Sequence, residues 1–414
     1  MSLNPKAEPE EALSHLRVLD LADEKGVYCA KLLADMGADT IKVEKPTGDP
    51  TRRFGPFVDD VPHPERSLFF FHYNTNKRGI TLNIEHPEGQ RLLKELVKRA
   101  DVLVESFPPA YLAGLGLAYE DLKWVNPRLV MASITPFGQY GPHAHYKGSD
   151  TVAWVMSGYM AIQGYEDPEL PPINAPFFQC CHTAGYFTAI GVLAAIYRRS
   201  LTGRGQHVDT SMQEAMATMA ETPNVYYTQN GVVVPRVWGY NGTPSARRTF
   251  QCKDGYADIS TGLFRRERWQ GFLEWMKGDG PVGDLEDEKW LDRDYGMAHL
   301  DHAFEQIEAW AMKYTGYEFL HEGQKRRQEC APINDIPAMV KDPQLNARGF
   351  FVEVDHPELG RTFTYPGAPY DFQETPWRIR RKAPLIGEHN LEIYEQELGL
   401  SRQELTVLKE SGVI

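Results

Sequence analysis

Cysteine is scarce in this 414-residue chain: Cys29, Cys180, Cys181, Cys252 and Cys330 are scattered, with no metal-ligand spacing. That excludes a disulfide framework and a structural zinc site, predicts no metal, and fits a reduced, cytoplasmic compartment. Runs of positive charge are also lacking. The formal net charge is −13 and no Lys/Arg-rich stretch occurs, so nucleic acid is excluded as a partner. No apolar run approaches the roughly 20 residues that a spanning helix needs; the longest lies near Ala189–Tyr197, and no membrane association is expected. The opening MSLNPKAEPEEALSH is polar and acidic, unlike a secretory or transit signal. The turn after the first strand has no GxGxxG, so a nicotinamide or flavin dinucleotide is not indicated. Internal repeats and low-complexity segments are absent.

What is present is an alternation of short buried strands and amphipathic helices. Leu16–Asp20 reads as a strand ending in the polar turn Ala22-Asp-Glu-Lys-Gly26. A helix follows with Cys29, Leu32, Leu33 and Met36 on one face, and Asp39–Val43 is the next strand. This is a βαβ unit, with the right-handed crossover such units take. Gly79–Leu82, Val102–Glu105, Leu129–Ile134 and His207–Ser211 supply further strands with helical patterns between most of them. The first half is therefore α/β with a mainly parallel sheet. Pro46–Ser67 is rich in Pro, Gly and charge and reads as an excursion at the carboxyl end of a strand, where sites are built. After Pro223 the texture changes to turns, a hairpin centred on Asp254-Gly255 and small helices with Trp269, Trp275 and Trp290. The expected division is a large α/β domain over 1–224, a small α+β domain over 225–327, and a return segment over 328–414 that completes the large domain.

The stretch from Ile134 to Met160, ITPFGQYGPHAHYKGSDTVAWVMSGYM, organises the chain. A strand end breaks at Pro136, Gly138, Gly141 and Pro142 into a loop carrying His143, His145, Tyr146 and Lys147. Val152, Val155, Met156 and Tyr159 then recur at helical spacing, with Ser149 or Asp150 placed to cap the helix. A strand end, a polar loop and a helix N-terminus form a common place to hold an anion; a plain turn with a solvated lysine is the alternative.

Several segments together resemble the class III CoA-transferases, the family of formyl-CoA transferase, carnitine CoA-transferase and α-methylacyl-CoA racemase. They include NTNKRGITL, ADVLVESFPPA, NPRLVMASITPFGQYGP, YKGSDTVAWVMSGYM, GVLAAIYRRSLTGRGQHVDTSMQEA and APLIGEHN, in family order and spacing from about Leu16 to about Asn390. The resemblance implies a Rossmann-like large domain whose parallel sheet is built from both chain ends, a small α+β domain, and a homodimer of interlocked rings. It implies an enzyme that moves CoA from an acyl-CoA thioester to a carboxylic acid, with CoA as substrate and no tightly bound cofactor. In the family an aspartate attacks the thioester, and a mixed anhydride and then an aspartyl-CoA thioester carry the reaction. Carried over position by position, the resemblance assigns CoA contacts to Glu24, Lys45, Asn74, Lys77, Phe107 and Lys147. Ser106 replaces the usual Asn, and Gly114 stands where formyl-CoA transferase has an arginine, so some adenosine contacts must differ.

The family nucleophile position, counted back from Gly185 and Gly191, falls on Cys181 within Gln179-Cys-Cys-His182. The resemblance places Asp150 at a different carboxylate near the reaction centre. Four readings follow. Asp150 is the working carboxylate. Alternatively, Cys181 attacks, its thiol activated beside His182 at a helix N-terminus, or it is a small buried hydrophobe. A third reading makes the chain a nucleophile-lacking CoA-binding subunit of a heteromer. In the fourth, His143, His145 or His182 serves a racemase- or lyase-type proton transfer, although Ser149 stands where racemases have a His. The first is the favoured assignment. Aromatic and Met content near Trp154, Tyr159, Phe177, Phe178, Trp238 and Tyr240 points to an apolar acyl pocket or to ordinary core.

Overall fold

A computed structural model describes residues 11–164, 169–236 and 247–414; Trp238 and Tyr240 lie outside them. The chain forms two compact units, one of 1–163, 172–221 and 347–414, the other of 164–171 and 222–346.

In the larger unit, six short strands form one parallel sheet: β1 (Arg17–Asp20), β2 (Asp39–Glu44), β3 (Lys77–Thr81), β4 (Val102–Glu105), β5 (Val130–Thr135) and β6 (His207–Ser211). Their order is β3-β2-β1-β4-β5-β6. The strands β3, β4 and β5 are buried along their whole length, as expected where helices cover both faces of a parallel sheet. One face packs Leu19, Ile41, Leu103 and Met131 against Leu92, Leu93 and Leu96 of the helix Pro87–Val97. The other packs Val18, Val104 and Ile134 against Cys29 and Leu33 of the helix Val27–Asp35 and the long helix Gln179–Thr202. That long helix has the length and composition to cross a membrane, yet its inner face, Cys181, Ala184, Thr188 and Val192, is buried in this core. Gly185 permits the close approach: a Cβ there would lie 3.1 Å from the Tyr28 Cβ.

All six strands lie between Arg17 and Ser211, which corrects the expectation of a sheet built from both ends. The return segment instead contributes an antiparallel hairpin, β10 (Phe351–His356) with β11 (Arg361–Pro366), whose strands pair only with each other. It docks beside β3 through side chains: His389 Nδ1 accepts from Gly79 N at 3.0 Å, Asn390 Oδ1 accepts from Thr81 N at 2.9 Å, and the Tyr394 hydroxyl donates to Thr81 O at 2.7 Å.

The smaller unit is a three-stranded antiparallel sheet, β7 (Arg247–Cys252), β8 (Gly255–Ser260) and β9 (Cys330–Pro332), with helices around a core of Trp269, Phe272, Trp275, Trp310 and Phe319. The hairpin expected from the sequence is present, but its turn is Lys253-Asp254, one residue earlier, with Gly255 opening β8. This unit runs to Asn346 rather than ending at Arg327, because β9 pairs with β8 and draws the chain beyond 327 into the same sheet.

Candidate active site

The sheet order places β1 beside β4, with later strands added outward on either side of that pair. Connections leaving β1 and β4 therefore diverge, and a crevice opens beyond their carboxyl ends, where open α/β sheets hold ligands. Two cavities lie there and share Asp23, Ser106 and Phe107. One, of about 260 Å³, extends to Lys45, Gly48, Asp49 and Arg53. The other, of about 600 Å³, extends to Lys25, Pro136, His145, Lys147 and Gly148. The Ser106 hydroxyl ties the two loops together, donating to Asp23 Oδ1 at 2.6 Å and accepting from Asp23 N at 2.9 Å. Phe107 stacks on Tyr111 with centroids 4.8 Å apart. A Cβ on Gly148 would lie 2.4 Å from the Pro136 Cβ, so only glycine lets the 138–148 loop fold this closely onto the strand end.

Lys45, Phe107 and Lys147 thus line the crevice. Lys45 is half-exposed and pairs with Glu85 at 2.9 Å; the Tyr111 hydroxyl and Lys45 together hold the Glu85 carboxyl below its ordinary range. Lys147 is exposed at the mouth of the larger cavity. Glu24 follows Asp23 and sits 3.8 Å from Lys25 Nζ; burial and the neighbouring Asp23 push its carboxyl upward.

Asn74 and Lys77 are elsewhere. Lys77 is 0% exposed, and its ammonium donates to Asp20 Oδ2 at 2.7 Å and to Asn74 Oδ1 at 3.0 Å. Asn74 in turn donates to Phe70 O at 3.1 Å. Lys77 opens β3 and turns inward to the end of β1, so neither residue lines the crevice where the resemblance would have them meet CoA. Burial pushes the Lys77 pKa down to about 8, against the pull of Asp20. Lys42 belongs to the same buried group, 2.7 Å from Asp49 Oδ2 and 3.9 Å from Asp20 Oδ1. This ionic cluster lies beneath the crevice and anchors Asp49, which lines it.

Asp150 opens the helix Asp150–Met156, and Ser149 caps it by accepting from Val152 N at 3.4 Å. The Asp150 Oδ1 accepts from Cys181 N at 2.9 Å. Two residues distant in sequence, the Asp150 carboxylate and the Cys181 backbone, are therefore in direct contact. Cys181 is 1% exposed, and burial, with Asp150 adding to it, pushes its thiol well above the ordinary value. Burial first, and Asp150 second, thus oppose the activated thiol expected from the sequence. His182 is half-buried, its Nε2 hydrogen-bonded to the Tyr73 hydroxyl, and burial lowers its pKa against the opposing pull of Asp150. His145 lines the larger cavity, whereas the His143 Nδ1 is buried without a hydrogen-bond partner among the described residues.

Sequence reasoning missed Glu105. It ends β4 at 3% exposure, and its carboxylate accepts from Phe107 N at 2.7 Å, setting the turn shared by both cavities. Burial raises its pKa to about 7, with the Ser133 hydroxyl and the Phe107 N–H opposing; that hydroxyl also lies 2.8 Å from His207 Nε2. The available signal was an acid closing the otherwise apolar run Val102-Leu-Val. A raised carboxyl adds stability that is fully present below its ordinary value of 4.5 and lost as pH rises through about 7. Relative to Glu105→Gln, the parent should lose up to about 3 kcal/mol between those limits, read from denaturant unfolding at pH 5 and pH 8. Parallel pH profiles for the two proteins would refute this.

The model of CoA-transferase family III matches residues 13–390. The chain is 36% identical to the succinyl-CoA:(R)-benzylsuccinate CoA-transferase subunit BbsE of Thauera aromatica, covering 97% of this chain and 98% of the relative. It is 35% identical to the formyl-CoA:oxalate CoA-transferase of Streptomyces coelicolor, over 98% and 99% of the two. The succinate–glutarate CoA-transferase of Agrobacterium fabrum is 33% identical over 92% and 94%. Among solved structures, a CAIB/BAIF family protein from Brucella suis superposes with a TM-score of 0.82, at 29% identity, over 94% of this chain and 99% of that one.

Proposed function

Because the chain belongs to CoA-transferase family III, we propose that it moves CoA from an acyl-CoA thioester to a carboxylic acid with Asp150 as the working carboxylate. The observation that carries this reading is the contact of Asp150 with the backbone of Cys181. An acid from one segment thereby lies against the position at which the family resemblance puts the nucleophile. The carboxylate attacks the thioester carbonyl, giving an acyl-aspartyl anhydride and CoA thiolate. The thiolate attacks the aspartyl carbonyl, releasing the first acid and leaving an aspartyl-CoA thioester. The incoming carboxylate and then the released thiolate repeat these steps in reverse, giving the new acyl-CoA and free Asp150. The Cys181 N–H, at the start of a long helix, orients the carboxylate. CoA lies in the crevice, its phosphates near Lys45 and Lys147. Ser149, engaged in capping, leaves a racemase without its histidine.

The test is a panel of acyl-CoA and acid pairs on the purified chain, read by mass spectrometry. New acyl-CoA products support the reading. A second reading, a CoA-binding subunit that requires a related chain, is favoured by Cys181 at the nucleophile position and by the relative that is itself a subunit; CoA binding without turnover supports it instead. The double variant Lys45→Ala/Lys147→Ala should weaken CoA binding about tenfold by calorimetry, since each exposed charge pair is worth about 0.2–1 kcal/mol. Unchanged affinity would move the phosphates elsewhere. A homodimer is also inferred: Ile190, Tyr197 and Leu201 leave an apolar stripe exposed on the long helix. A folded, active monomer in analytical ultracentrifugation would contradict it.

A further inference from the structure

Beside Asp150 the larger unit carries a wall of aromatic rings. It begins at His182, next in sequence to the Cys181 that Asp150 touches. The His182 ring lies 5.7 Å from Tyr73, Tyr73 lies 4.4 Å from Phe69, and Phe69 meets Phe178 at 5.1 Å and Phe54 at 5.2 Å. Phe54, Phe69 and Phe178 are each only partly buried. Phe177, just before them, is 82% exposed and adopts a left-handed φ of +62°. A non-glycine residue held in that region stores strain, and such residues gather at ligand sites. Phe69 meets Phe54 and Phe178 edge to face, and such rings present faces and edges that favour another ring.

We propose that the acid carried by this enzyme is an aryl or arylalkyl carboxylic acid, its ring on the Phe54–Phe69–Phe178 wall and its carboxyl group at Asp150. The chemistry rests on the reading of Asp150 above, but the wall is a binding site in its own right. An aromatic ring gains from each ring pair beyond area burial, enough over two or three such pairs to separate it from an alkyl chain of equal length.

The experiment is isotope exchange, which needs one acid at a time: 3-phenylpropanoyl-CoA with deuterated 3-phenylpropanoate, against the corresponding hexanoyl and glutaryl pairs. The phenylpropanoyl pair should exchange with at least tenfold higher kcat/KM. Phe178→Ala and the exposed Phe177→Ala should each lower the phenylpropanoyl-to-hexanoyl ratio, the former about tenfold, with circular dichroism confirming the fold. Equal or faster hexanoyl or glutaryl exchange, or a ratio unchanged in both variants, overturns the proposal. If no pair exchanges, the transferase reading of the lone chain fails, and saturation-transfer NMR with 3-phenylpropanoate decides the wall separately. Binding lost in Phe178→Ala sustains it; absence of binding to the parent protein, as when the wall serves only as a contact between chains, ends it.

Discussion

Replacing Asp150 with Asn should lower CoA transfer by at least about a thousandfold in kcat, the scale on which removal of a covalent nucleophile acts. CoA affinity should stay within about twofold. The amide retains the shape of the carboxylate, and its oxygen still accepts from Cys181 N, so the helix start is preserved. It cannot form an anhydride, so no acyl group is taken up. The crevice cations Lys45 and Lys147 are untouched. In the same assay Cys181→Ser should retain most activity, and the Cys181 thiol, buried and held protonated, should alkylate no faster than Cys29 or Cys330. Full activity in Asp150→Asn would end the proposal. Loss confined to Cys181→Ser, with a thioester-linked acyl group on its peptide, would transfer the role to the thiol.

Removing Asp20 should destabilise the fold more than any crevice substitution. Its carboxylate is fully buried, 2.7 Å from Lys77 Nζ and 3.9 Å from Lys42 Nζ. Asp20→Ala leaves the buried Lys77 ammonium without its carboxylate, and breaking a buried pair in this way costs about 3–5 kcal/mol. The expected result is a fall in melting temperature of about 6 °C or more, with further loss at the Asp49 loop that Lys42 holds. Lys77→Ala should behave likewise, strongly destabilising but with little direct change in the intrinsic CoA affinity of the folded fraction. Calorimetric unfolding beside CoA titration separates the two. A thermally normal Lys77→Ala protein that has lost CoA binding would return Lys77 to the crevice.

The same lysine shows where sequence reading stops. In Asn74-Thr-Asn-Lys77 the motif was legible, and so was the strand that follows it, because β-forming residues and turn chemistry act over a few neighbours. Whether Lys77 faces solvent or Asp20 depends on β3 lying two strands from β1 in the sheet, a relation between segments 57 positions apart. Alternation of buried strands with amphipathic helices, the β7–β8 hairpin and the Ser149-capped helix were determined by the sequence itself: each rests on local periodicity or a local hydrogen bond. Glu105 could be noticed in its apolar strand but not interpreted, since its raised pKa comes from burial under later elements. The pairing of Asp150 with Cys181 was decided by tertiary structure alone. Their segments meet only when the helix Asp150–Met156 packs against the long helix Gln179–Thr202, and that contact brings a carboxylate to the backbone of Cys181.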